Sequence, residues 1–156
     1  MDHPSMQDDI EDQIDDSPDV FEGLTPGAMP VSELVGDDIQ RVSPEASLRE
    51  VCAALSGQGV GVLGVGEDGA ELAGVLSERD IVKALAAGLD PDAATADQVK
   101  TERILYVDPA ATVDEVAAEM LTKWTRHLLV GRPDELLGVV SARDILGVYS
   151  SGSGTA

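Results

Sequence analysis

The chain has 156 residues, 43% of them hydrophobic but only 3% aromatic, and its 30 acidic against 10 basic side chains give a net charge of −20. That length suits one compact domain with an aliphatic core, and that charge repels phosphate backbones and anionic bilayers, so nucleic acid and membranes are set aside as partners. The lone cysteine, Cys52, excludes an internal disulfide, and there is neither a basic-then-apolar leader nor a run of membrane-spanning length, so a cytoplasmic location is expected.

In chain order, residues 1–28 come first, with nine Asp and Glu and no Lys or Arg. Low hydrophobicity and high like charge predict a disordered tail there, either plainly solvated or docking on a basic surface. A polar-to-apolar strand follows over Ile39–Val42 and stops before Pro44. Ser47 and Glu50 have capping-box spacing, and Leu48, Val51, Cys52 and Leu55 then make an i, i+3, i+4, i+7 stripe. Cys52 in that stripe reads as a buried structural thiol. Two short apolar strands come next, near Val60–Val65 and Leu72–Leu76, turned by Gly66-Glu67-Asp68-Gly69. A second helix starts at Ser77 and runs through Ile81-Val82.

The same order then returns. Val42-Ser43-Pro44 through Val51 reappears 65 residues on as Val107-Asp108-Pro109 through Val116. Gly74-Val75-Leu76-Ser77-Glu78-Arg79-Asp80-Ile81-Val82 reappears 64 residues on as Gly138-Val139-Val140-Ser141-Ala142-Arg143-Asp144-Ile145-Leu146. The second copy has a strand at Ile104–Val107, a capping box at Thr112 and Glu115, and a stripe of Val113, Val116, Ala117 and Met120. Strands near His127–Val130 and Leu136–Val140 follow, then a helix from Ser141. Two β-α-β-β-α copies predict an α+β fold in which each copy covers the other's apolar sheet face with pseudo-twofold symmetry. The expected division is an acidic tail at 1–28, repeats at 29–89 and 90–150, and a flexible end at 151–156.

The strand-Pro-capped-helix opening and the Gly-x-x-Ser-x-x-Asp ending, in this order in both copies, resemble the cystathionine-β-synthase (CBS) domain family, and the tandem resembles a Bateman module. Glu78 through Val82 followed by Leu85-Ala86-Ala87-Gly88-Leu89-Asp90-Pro91 is similar to the small stand-alone actinobacterial CBS-pair proteins of the hypoxic response type. The resemblance covers roughly residues 29–150. It implies a homodimer and a regulatory module that binds an adenine nucleotide or adenosyl compound (AMP, ADP, ATP or S-adenosylmethionine) between the copies.

By the same resemblance Asp80 and Asp144 hold ribose hydroxyls, and Ser77 and Ser141 lie near phosphate at a helix N-terminus. Charge chemistry agrees, since a carboxylate accepts from both ribose hydroxyls and a helix N-terminus donates free backbone N–H groups to a phosphate. Ser77-x-x-Asp80 and Ser141-x-x-Asp144 are also capping boxes, and a cap alone favours the same residues. Arg126 and His127 precede a strand in the second copy as phosphate contacts, while Gly61 through Val65 brings no cation to the first. The Asp144 site is therefore expected to be the stronger. His127 reads also as a hydrogen-bonded edge residue, the commoner role of a lone histidine at a strand start. Arg79 and Arg143 read as phosphate neighbours or solvated cations, and Trp124 as packing at a subunit interface or stacking on a base. Leu129 departs from the family's usual Pro.

No zinc-spaced cluster, phosphate loop, dinucleotide fingerprint or nucleophile elbow occurs, so neither a catalytic site nor a required metal or cofactor is expected. The competing reading is a ligand-free dimeric interaction or stress-response protein that docks an unknown protein partner.

Overall fold

The computed structural model describes residues 25–152. Each copy builds one three-stranded sheet. In the first, β1 (Arg41–Val42) pairs parallel with β2 (Val62–Val65), which pairs antiparallel with β3 (Gly74–Ser77). Helix α1 (Leu48–Gln58) joins β1 to β2, and α2 (Glu78–Ala86) leaves β3 directly. A four-residue helix, α3 (Ala96–Val99), leads into the second copy. There β4 (Tyr106–Val107) pairs parallel with β5 (His127–Arg132), and β5 pairs antiparallel with β6 (Glu135–Ser141). Helix α4 (Val113–Lys123) joins β4 to β5, and α5 (Ala142–Gly152) follows β6.

The helix starts are those the sequence spells. The Ser47 hydroxyl accepts from the Glu50 N–H while the Glu50 carboxylate accepts from the Ser47 N–H, and Thr112 with Glu115 repeats the arrangement. Leu48, Val51 and Leu55 bury one face of α1, and Val113, Val116 and Met120 bury the matching face of α4; Cys52 and Ala117 are half-buried at the margins. The leading strands are shorter than expected, because only two residues of each form a ladder. Ile39 and Ile104 instead pack in the layer between the sheets.

That layer joins the copies. Ile39, Val62, Leu72 and Leu129 are buried in it, with Val75, Ile104, Tyr106, Leu136 and Val139 packed around them. Aliphatic side chains supply nearly all of it, as the low aromatic content requires.

The segment before each copy packs on the other copy. Val31 donates its N–H to the Ala111 carbonyl and Val113 donates to Met29, while Ala96 donates to Ala46 and Leu48 donates to Ala94. Every partner in the second pair of bonds is related to one in the first by the 65-residue offset. Val31 is wholly buried in the second copy's core, and Ala94 and Ala96 are buried in the first copy's. The two copies, consecutive in sequence, thus exchange their leading segments in space.

The expected acidic tail lies outside the described residues up to Leu24. Its last part is described, and Pro26–Ala28 form a 3-10 turn with Gly27 buried against α4. Ser151 and Gly152, assigned to a flexible end, continue α5; residues 153–156 lie outside the described residues. Among the described residues no helix is long and apolar enough to cross a membrane.

Candidate functional site

The pseudo-twofold axis produces two matching clefts between the copies. The first, of about 300 Å³, opens beside the N-terminus of α2. It is lined by Ser77, Arg79, Asp80 and Lys83 of the first copy and by Thr101, Arg103, Lys123, Thr125 and His127 of the second. The second cleft, about 760 Å³, gathers Ser141, Arg143 and Asp144 with Gly36, Asp37, Asp38, Gln40 and Gln58. Both volumes fall in the ordinary range for small-molecule sites.

Capping explains how Asp80 and Asp144 are held. Asp80 Oδ2 accepts from Ser77 N–H at 2.9 Å and from its hydroxyl at 3.0 Å, and Oδ1 accepts from Thr101 Oγ1 at 3.0 Å. Asp144 Oδ2 accepts from Ser141 N–H at 2.8 Å, and Asp144 N–H donates to Ser141 Oγ at 3.1 Å. The cap and the binding role are therefore compatible. A carboxylate has about four acceptor positions, so each Asp retains room for a hydroxyl after its cap is made. Asp80 is half-buried and Asp144 exposed.

Gly61 through Val65 brings no cation to the first copy's cleft, as the sequence reads, but Arg79, Lys83, Arg103 and Lys123 all line the Asp80 cleft. Each cleft is completed by the other copy's leading segment and by the end of its first helix, so Arg103 and Lys123 of the second copy serve the first copy's site. At the related positions the Asp144 cleft has Asp38 and Gln58, and Asp37 adds a further acid. Arg126 does not join Ser141 and Asp144. Its side chain lines a third hollow, of about 360 Å³, with Ser77, Arg79, Val82 and Trp124. His127 borders all three spaces. Its ring lies against Gly61, where a Cβ would sit 2.9 Å from the imidazole Cε1, so only glycine leaves the ring its place.

Burial pushes the His127 imidazole below its ordinary 6.5; the Glu78 and Asp144 carboxylates pull it back up and Arg126 pushes it down again. Burial thus favours the neutral imidazole, which can still hydrogen-bond a ligand. Arg79 donates to the Trp124 carbonyl at 2.9 Å, tying the start of α2 to the end of α4 across the copies. Trp124 is 81% exposed on this chain, which leaves its indole open to a subunit interface or to a stacked base.

Thr101, Lys83, Arg103 and Lys123 were not singled out from the sequence. The signal was present: extending the 65-residue offset beyond the conserved blocks sets Arg103 against Asp38 and Lys123 against Gln58. Reading it for function requires knowing that the copies exchange their leading segments.

A tandem of two such units, with paired clefts at capped helix starts, defines a paired-repeat α+β module. The family model for the CBS domain matches residues 31–87 and again 96–151, and the chain belongs to that family. It is similar to Hypoxic response protein 1 of Mycobacterium tuberculosis, 40% identical over 87 residues that make up 55% of this chain and 61% of that protein. The chain thus matches less than two thirds of that curated relative's length. It is also similar to the crystal structure of Hypoxic Response Protein I with two coordinated zinc ions, at 31% identity and a TM-score of 0.63, covering 76% of this chain and 98% of that one. The CBS pair of protein MJ0100, solved with 5′-methylthioadenosine and S-adenosyl-L-methionine, shares the fold at 20% identity and a TM-score of 0.70, covering 80% of this chain and 98% of that one. Among the described residues of this chain no three His, Cys, Asp or Glu side chains converge as a metal site.

Proposed function

We propose that this CBS pair is a regulatory module that senses an adenine nucleotide through the Asp80 cleft. One observation carries the reading: four of the chain's ten Lys and Arg side chains line that cleft, and none of the four forms an ion pair among the described residues. In a chain with 30 acids, unpaired cations gathered at one concave site favour an anionic ligand. Asp80 and Thr101 offer acceptors and a hydroxyl to a ribose, and the positive end of the α2 dipole favours a phosphate beside it. The adenosyl ligands of MJ0100 support the adenosine part, and the cations favour phosphate-bearing forms over S-adenosylmethionine. The acids of the second cleft disfavour phosphate, so Asp144 with Ser141 suits an uncharged or cationic adenosyl group. This reverses the ranking expected from Arg126 and His127.

Ligand in a cleft built from both copies biases their relative orientation, and only differential affinity for two orientations can do so. The module is further read as a homodimer. Val82 and Leu85 on α2 are exposed, as are Leu146 and Tyr149 at the related positions on α5. Two exposed apolar stripes related by the pseudo-twofold suit closed packing with a second copy. The competing reading, a ligand-free dimeric interaction protein, leaves the cleft's cations without a role.

Thermal shift with AMP, ADP, ATP, S-adenosylmethionine and NAD tests the reading, because a ligand that binds only the native state raises its melting temperature. Stabilisation is expected to increase from AMP to ADP to ATP and to be weaker with S-adenosylmethionine. No shift with any adenine compound would leave the interaction protein as the better account.

A further inference from the structure

The cleft's cations pose a second question, what neutralises them when no ligand is bound. Three of the other six cations form ion pairs: Arg49 with Asp92, Lys100 with Asp97, and Arg132 with Glu135. The largest gathering of Lys and Arg side chains without an ion pair among the described residues is therefore the Asp80 cleft. The densest negative stretch of the chain is residues 8–22, where eight of fifteen residues are Asp or Glu and none is Lys or Arg.

We propose that this acidic segment docks in the Asp80 cleft of its own chain, its carboxylates standing on Arg79, Lys83, Arg103 and Lys123 where a ligand's phosphates would. Charge complementarity names the occupant: apart from Asp2, the other acids of the chain lie among the described residues, whose placement is fixed by the fold. Length permits it. The 24 residues that precede Thr25 can span up to about 80 Å when extended, against a radius of gyration of about 14 Å for a body of this size. Attachment to the same chain gives the segment an effective concentration in the millimolar range, so weak contacts suffice. The acids elsewhere on the body repel the segment only within a Debye length, about 8 Å at physiological salt, so the local cations dominate once it enters the cleft. The consequence is a threshold: phosphate-bearing ligands bind by displacing the segment. The inference rests on the cleft being an anion site, not on the anion being a nucleotide.

The test uses the full chain and a full-length variant with the segment's charge removed (D8N, D9N, E11Q, D12N, D15N, D16N, D19N, E22Q). Without ligand, the amide resonances of Lys83, Thr101 and Arg103 are expected to differ between the two proteins, independently of protein concentration. Calorimetry with inorganic tripolyphosphate should show binding about tenfold tighter for the neutralised variant at 50 mM salt, with the gap closing at 500 mM. Identical resonances and equal affinities would overturn the docking, and if ATP still bound, the sensing function would stand without it. Resonance differences that appear only at high protein concentration would also overturn it, assigning the segment to a neighbouring copy. Cleft resonances that shift on neutralisation while neither tripolyphosphate nor ATP binds would keep the docking and remove the nucleotide.

Discussion

His127 stands where the three hollows between the copies meet, and its burial sets how the molecule responds to acid. An imidazole held below 6.5 in the fold takes up its proton more readily when the chain unfolds. Its contribution to stability is therefore present above pH 6.5 and is lost as the pH falls through the depressed folded value. The melting temperature is expected to decline between pH 7 and 5 and to decline less in His127→Gln. Equal slopes for the two proteins in that window would remove His127 as the cause. Asp92 does not confuse the result, because its hydrogen bond to Arg49 lowers it from an ordinary 3.8, below the window. At this scale the sequence was a partial guide. Asp80, Asp144, Ser77 and Ser141 were legible because a cap is a local device, spelled within four residues. Which hollow Arg126 borders was not legible, because a place beside a strand does not fix the direction of a side chain.

The ends of α1 and α4 carry the next expectation. Gly59 closes α1 at φ 65°, ψ 29°, and Trp124 closes α4 in the same left-handed conformation at φ 54°, ψ 41°. An L side chain in that region costs about 1–2 kcal/mol, which glycine avoids. Gly59→Ala should destabilise the protein by about 1 kcal/mol. Trp124→Gly should be neutral or stabilising, since the exposed indole gives up little buried area. Chemical denaturation checks both, and a large loss from Trp124→Gly would show that the indole holds structure. Helices, caps and apolar stripes were readable because their periods are short-range. The exchange of leading segments was not, since no local pattern says that Val31 belongs under α4. Because Val31 is fully buried there, Val31→Ala should cost about 2 kcal/mol, as core truncation does. A change within about 0.5 kcal/mol would deny that the segment is part of the second copy's core.

At the scale of the whole molecule, duplication yields one scaffold with two unlike sites. The shared capped helix starts hold Asp80 and Asp144 by the same cap, while Arg103 against Asp38 and Lys123 against Gln58 make the clefts opposite in charge. Double substitution of the repeated stripe, Val82→Glu with Leu146→Glu, is expected to convert a dimer to a monomer in sedimentation without unfolding it. A wild-type monomer at micromolar concentration would remove the dimer. The central claim is that charge assigns a phosphate-bearing nucleotide to the Asp80 cleft, and calorimetric titration of ATP tests it most directly. Wild type and Asp144→Asn should bind with similar affinity, while Arg103→Ala with Lys123→Ala should weaken binding by about a hundredfold, as loss of two charge-assisted contacts implies. Weakening by Asp144→Asn with no effect of the double variant would contradict the account and return the nucleotide to the other cleft.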